Sequence, residues 1–81
     1  MTREDIFNII KENIIKVLID IDSDSISIDQ SLKDLGANSI DRVEIAQDSM
    51  EDLNLVLPRV DLGQAQNIND LVNIFYKHIN S

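Results

Sequence analysis

Ile6, Ile9, Ile10, Ile14, Val17, Leu18 and Ile21 recur at steps of three and four residues. That spacing lays an apolar stripe along one side of an α-helix and fits no strand, whose side chains alternate. Thr2 stands where a helix N-cap belongs, with Asp5 three residues on, a capping-box variant. The pattern predicts a first helix of about 16 residues. Phe7, Ile15 and Ile19 widen its apolar arc, so it is expected to be buried on more than one side. The end of the chain repeats the device, with Asn67 as N-cap and Asp70 at the third helical position. Ile68, Leu71, Val72, Phe75, Tyr76 and Ile79 follow at helical spacing. Eighty-one residues are enough for one small domain, taken as residues 1–81. Such a chain buries only about 60% of its unfolded surface. Its aromatics are Phe7, Phe75 and Tyr76, so the core is expected to be aliphatic.

Between these helices the period breaks. Ser23, Ser25, Ser27, Ser31 and Gly36, interspersed with aspartates, mark a long loop from Asp22 to Asn38. Ile26, Ile28, Leu32 and Leu35 are its apolar anchors, with a turn of helix expected near Leu32-Lys33-Asp34-Leu35. Loops longer than about 12 residues are uncommon in compact domains and often functional. A second long helix runs from Asn38 to about Leu53. On a helical wheel Ile40, Val43, Ala46, Met50 and Leu53 share what reads as the core side. Asp41, Glu44, Asp48 and Asp52 fall opposite, with Ile45 among them. The only proline closes the apolar run Asn54-Leu55-Val56-Leu57-Pro58. Pro58 to Leu62 reads as one short helix or turn stopped by Gly63. The fold class is therefore all-α: a four-helix bundle of three long helices and one short, with a long loop between the first and second.

Fifteen acids against seven bases give a formal charge of −8. Such a surface repels nucleic acid and anionic membranes, favours partners with basic patches, and suits a monomer. The sequence has no apolar run of about 18 residues and no basic-then-apolar start, so neither a membrane span nor a signal peptide is expected. Cysteine is absent, which excludes disulfides and thiolate metal sites and fits a cytoplasmic location. If this protein carries thioesters, their thiol must come from an added group.

The stretch Leu35-Gly36-Ala37-Asn38-Ser39-Ile40-Asp41-Arg42-Val43-Glu44 reads as a loop ending in glycine, an N-cap at Asn38 and a serine on the first helical turn. Unpaired N–H groups and the positive end of the dipole make a helix start favourable for a phosphate, here on an exposed serine hydroxyl. Taken alone, this is also an ordinary capped helix start. Together with four helical segments in order, a long first loop and the proline after the second helix, it resembles the acyl carrier protein family from the first helix to Ile79. The resemblance implies 4′-phosphopantetheine attached to Ser39 through a phosphodiester, placed there by a separate phosphopantetheinyl transferase. The arm's thiol would then hold acyl groups as thioesters. The protein would be a carrier, not an enzyme.

The family's usual Asp before the serine is here Asn38, which keeps the cap but loses a charge, and its usual leucine after it is Ile40. Arg42 is a base in an acidic helix, expected to pair with a neighbouring acid. The Asn-Ser-Ile-Asp-Arg run resembles the donor carriers of polyketide β-branching cassettes of the bacillaene and curacin types. That resemblance implies acetyl or malonyl cargo and three partners from a polyketide pathway: a hydroxymethylglutaryl-synthase-like enzyme, a ketosynthase or decarboxylase, and an acyltransferase. The fatty-acid-synthesis carrier and an unmodified acidic interaction domain are the alternatives. The expected docking surface is Asp41, Arg42, Glu44, Ile45, Asp48, Glu51 and Asp52, where charge steers weak, fast encounters. Ile45 is either a contact there or covered by the first loop. Asp20, Asp22 and Asp24 alternate as in a calcium loop, but Ser25 and Ser31 stand where glycine and glutamate belong, so no metal site is expected. His78, alone near a helix end, reads as structural. No nucleophile triad or glycine-rich phosphate loop is present, so no catalytic residue is expected.

Overall fold

The structure is a computed structural model and describes residues 1–80. Helix α1 runs Arg3–Val17, α2 Ser39–Asp52, α3 Arg59–Leu62 and α4 Ile68–Ile79, with a 3-10 turn at Ser23–Ser25 and no strand among the described residues. The helices pack into a body of 35 × 23 × 20 Å. α1 lies against both α2 and α4, and α3 touches α4. This is the four-helix arrangement that the periodicity predicts.

Each long helix starts on a side-chain cap. Thr2 accepts the N–H of Asp5 at 3.1 Å and Asp5 takes back the N–H of Thr2 at 3.1 Å. The Thr2 backbone N–H, and secondarily its hydroxyl, hold the Asp5 carboxyl below its ordinary range. A carboxylate with a lowered native pKa contributes stability above its unfolded value, and that contribution is lost as pH falls through the folded one. Amide protection in the first turn of α1, measured against the intrinsic exchange rate at each pH, is therefore expected to fall as pH drops below about 4. That loss of protection should vanish in Asp5→Asn.

The core is drawn from three helices: Ile6, Ile10 and Ile14 of α1, Ile45 of α2, and Ile68, Val72 and Phe75 of α4 are fully buried, with Leu71 nearly so. Ile26 and Ala37 of the long loop join this cluster. Phe7 and Ile15 are half-buried against it, but Ile19 is 80% exposed. The expectation that Ile19 widens the buried arc fails because α1 ends at Val17, with Leu18 as its C-cap, so Ile19 leaves the helical face.

The loop is tied down at both ends. Its Ile28 and Gln30 carbonyls accept the N–H groups of Asn69 and Ile68 at 2.9 Å, satisfying donors that the first turn of α4 cannot pair internally. Further on, Leu35 donates to Ser31 at 3.3 Å, Gly36 to Lys33 at 3.0 Å and Ala37 to Leu32 at 3.0 Å. This is the expected single turn, closed by a Schellman pair. Gly36 has φ of +99°, and a Cβ there would meet nothing within 4 Å. Gly36→Ala is thus expected to cost about 1 kcal/mol, from the backbone alone, as read by chemical denaturation. Asn54, with φ of 55°, closes α2 in the same manner: its N–H reaches Glu51 at 3.2 Å and that of Leu55 reaches Met50 at 2.8 Å. The 3-10 turn was hidden in the serine-aspartate run. Asp22 caps it by accepting the N–H of Asp24 at 3.1 Å.

Candidate functional site

Asn38 begins α2 in extended conformation, and its side chain accepts the N–H of Asp41 at 2.8 Å. Asp41 returns the bond, taking the Asn38 N–H at 3.2 Å. The Asn38 carbonyl takes the N–H of Arg42 at 2.9 Å. The first-turn N–H groups of Ser39 and Ile40 are left with no intrahelical partner, and they lie at the positive end of the helix dipole. Ser39 is the first residue of α2 and is exposed.

Beside it opens a cleft of about 670 Å³. Ser39, Arg42, Val43, Ala46 and Met50 of α2 form one wall. Leu32 and Lys33 of the loop, Leu57 and Leu62 around α3, and Leu71 of α4 line the remainder. The cleft is apolar within and carries two cations, Lys33 and Arg42, along with the serine hydroxyl. This donor set suits a phosphodiester joined to a flexible organic arm. A hydroxyl is available for attachment, N–H groups and cations are at hand for the anion, and apolar walls flank the arm. Arg42 is steadied by donating from Nη1 to the Ala37 carbonyl at 3.0 Å. That bond crosses the last turn of the loop to the residue before the cap, rather than to an acid of α2 as its charge suggests.

The expected docking residues separate. Glu44 and Glu51 are exposed, and Asp48 is half-buried. Asp41 is half-buried and spends its carboxylate on the capping box. Asp52 is exposed, but its Oδ2 accepts from Asn13 Nδ2 at 3.0 Å. Ile45 is not a surface contact at all; it is fully buried in the core. Conversely Ile40 and Val43, assigned to the core by the wheel, are 75% and 43% exposed. Ala46 and Ser49 are buried with Ile45, so α2 is turned by roughly a quarter of a revolution from its most apolar arc. The face turned inward includes Ser49, buried against Asn13 of α1, and single-helix periodicity carries no signal for a polar contact made across two helices. Val56 and Val60, near and on α3, are also exposed, at 96% and 69%.

Among the described residues, no group of three or more His, Cys, Asp or Glu side chains gathers as a metal site. His78 lies exposed on the last turn of α4. No described helix is long and apolar enough to cross a membrane.

Comparison with known proteins bears directly on this site. Residues 12–75 match the family model described as "Phosphopantetheine attachment site". The chain is similar to the polyketide biosynthesis acyl-carrier protein AcpK of Bacillus subtilis strain 168, with 36% identity over 81 residues, covering 100% of this chain and 99% of that one. It is also similar in structure to the acetyl-donor acyl carrier protein solved in complex with the HMG synthase of the curacin biosynthetic pathway. The TM-score is 0.85 and the identity 36%, covering 93% of this chain and 96% of that one.

Proposed function

We propose that this chain, which belongs to the acyl carrier protein family, carries its 4′-phosphopantetheine on Ser39 and serves as an acetyl-donor carrier in polyketide β-branching. The observation that carries the proposal is Ser39 itself, exposed at the first position of α2 and lining the cleft. When bound, the prosthetic group supplies a thiol that holds an acyl group as a thioester. The chain's own residues orient it. The first-turn N–H groups and dipole of α2 favour the phosphate by about 0.3–1 kcal/mol. Lys33 and Arg42 add positive charge beside Ser39 in a chain of net charge −8. This fixes where the arm begins and leaves chemistry to the partner, as suits a carrier.

Two solved or curated relatives support the pathway. One is a polyketide carrier, and the other is an acetyl donor held by an HMG synthase. An HMG-synthase-like enzyme is therefore the proposed principal partner, alongside the transferase that loads Ser39 and the decarboxylase and acyltransferase that supply the acyl group. The surface offered to them is a revised one: exposed Ile40 and Val43 beside Ser39, with Glu44 and Glu51 further along the same helix. A partner with a small apolar contact rimmed by basic groups matches this face. Glu44→Lys is expected to slow modification or acyl transfer by on the order of tenfold at low ionic strength. The effect should shrink sharply at 1 M salt, where the screening length is about 3 Å. Equal slowing at both salt concentrations would count against steering by charge.

The direct test is intact-mass measurement after incubation with coenzyme A and a broad-specificity phosphopantetheinyl transferase. One phosphopantetheine should be gained, and fragmentation should place it on the peptide holding Ser39. A chain that gains nothing, or gains it elsewhere, overturns the assignment.

A further inference from the structure

Asn13 sits in the middle of α1 and is 1% exposed, and Ser49 of α2 is fully buried opposite it. The Asn13 Nδ2 lies 3.1 Å from Ser49 Oγ, 3.0 Å from Asp52 Oδ2 and 3.0 Å from its own helix's Ile9 carbonyl. Its Oδ1 is buried and has no hydrogen-bond partner. A carboxamide with three acceptors around its two hydrogens and an orphaned oxygen is an expensive group to keep in a core that is otherwise aliphatic. Around it, α2 buries Ile45, Ala46 and Ser49 while leaving Ile40 and Val43 in solvent. Hydrophobic burial alone does not select this setting: the arc Ile40, Val43, Ala46 and Met50, turned inward, would bury Ile40 and Val43 at the expense of Ile45.

We infer that Asn13 and Ser49, with Asp52, form a polar latch that sets the rotation of α2, and so act as positioning residues for the face that carries Ile40, Val43 and Ser39. Rotating α2 by roughly a quarter turn would bury Ile40 and Val43 but carry Ser49 and Asp52 away from Asn13. The amide of Asn13 would then be left in the core with only the Ile9 carbonyl. That is the cost that holds the less apolar arc inward, a use of buried polarity to choose one packing over another. Three turns of α2 separate the latch from Ser39, and the rigid helix carries the setting from one to the other. That this face meets partners rests on the carrier reading; the rotational setting does not.

The variant pair Asn13→Leu with Ser49→Ala removes the latch at similar volume and leaves Asp52 in solvent. On the full-length chain, hydroxyl-radical footprinting should show labelling of Ile40 and Val43 falling at least threefold, with labelling of Val56 unchanged as the internal reference. Helical content should be retained, and midpoint temperature should hold or rise. In parallel, KM for the phosphopantetheinyl transferase should rise while kcat changes little, because presentation and not reactivity is altered. A folded variant in which Ile40 and Val43 label as before overturns the latch, as does one in which Ile6 and Ile10 gain labelling alongside them, which would mean general loosening. Should the pair fail to fold, Ser49→Ala alone decides, with a smaller fall at Ile40 and Val43 expected and no fall overturning the proposal. If wild type itself takes no phosphopantetheine, the carrier reading fails while the footprint still tests the latch.

Discussion

A Ser39→Ala chain is expected to keep its helices and its stability yet take no mass from coenzyme A, while wild type takes one phosphopantetheine. The fold does not depend on this side chain. The cap of α2 is Asn38, whose oxygen holds Asp41 at 2.8 Å, and Ser39 stands exposed one residue further on. Removing an exposed hydroxyl that caps nothing should change stability by less than about 0.5 kcal/mol. Asn38→Ala makes the contrast, because it removes the side-chain acceptor that holds the Asp41 N–H, leaving only the main-chain half of the capping box, and should cost about 1 kcal/mol. It should also slow modification, since the first turn that presents Ser39 would fray. Three other serines are less available: Ser25 and Ser31 hold hydrogen bonds within loop turns, and Ser49 is fully buried. Intact-mass analysis of the two variants beside wild type checks all of this. A mass gain in Ser39→Ala would remove the basis of the functional proposal.

Phe75→Ala is expected to abolish the cooperative thermal transition or lower its midpoint by tens of degrees. Phe75 is the largest of the fully buried side chains, in a core drawn from α1, α2 and α4. Truncating such a residue costs about 3–5 kcal/mol in lost transfer energy and cavity. Marginal stability of about 0.05–0.15 kcal/mol per residue gives roughly 4–12 kcal/mol for 81 residues. One substitution thus removes a quarter or more of the whole. For a domain of this size each kcal/mol moves the midpoint by about 4–8 °C. Val56→Ala, at a side chain 96% exposed, supplies the control and should lie within about 0.5 kcal/mol of wild type. A Phe75→Ala midpoint within a few degrees of wild type would mean that the core is not where it is described.

The helices were legible because their caps and periods are local. Thr2 with Asp5, Asn38 with Asp41 and Asn67 with Asp70 each announce a helix start within four residues, and each pair is bonded as the spacing predicts. Ser39 was legible for the same reason, since its position follows from the cap before it. The facing of α2 was not. Ile40 and Val43 read as core, and Ile45 as a surface contact or a loop-covered side chain, because an isolated wheel counts only apolar area. A buried polar contact that the wheel does not see joins residues 36 positions apart in sequence, Asn13 and Ser49. Arg42 shows the same limit at shorter range. Its charge suggests an acidic neighbour, while its geometry delivers a backbone carbonyl at Ala37. The loop's length was plain, but its bonds to α4 were not, since they pair main-chain groups that every residue possesses.

Those bonds bear on where foreign sequence can be grafted. The segment around Ile28 and Gln30 behaves as a splice between two distant parts of the chain, so an inserted reporter or lengthened spacer there would strip the start of α4 of its acceptors. The bend at Val56 engages none of them and projects outward, which makes it the better seat for a tag or a fused partner.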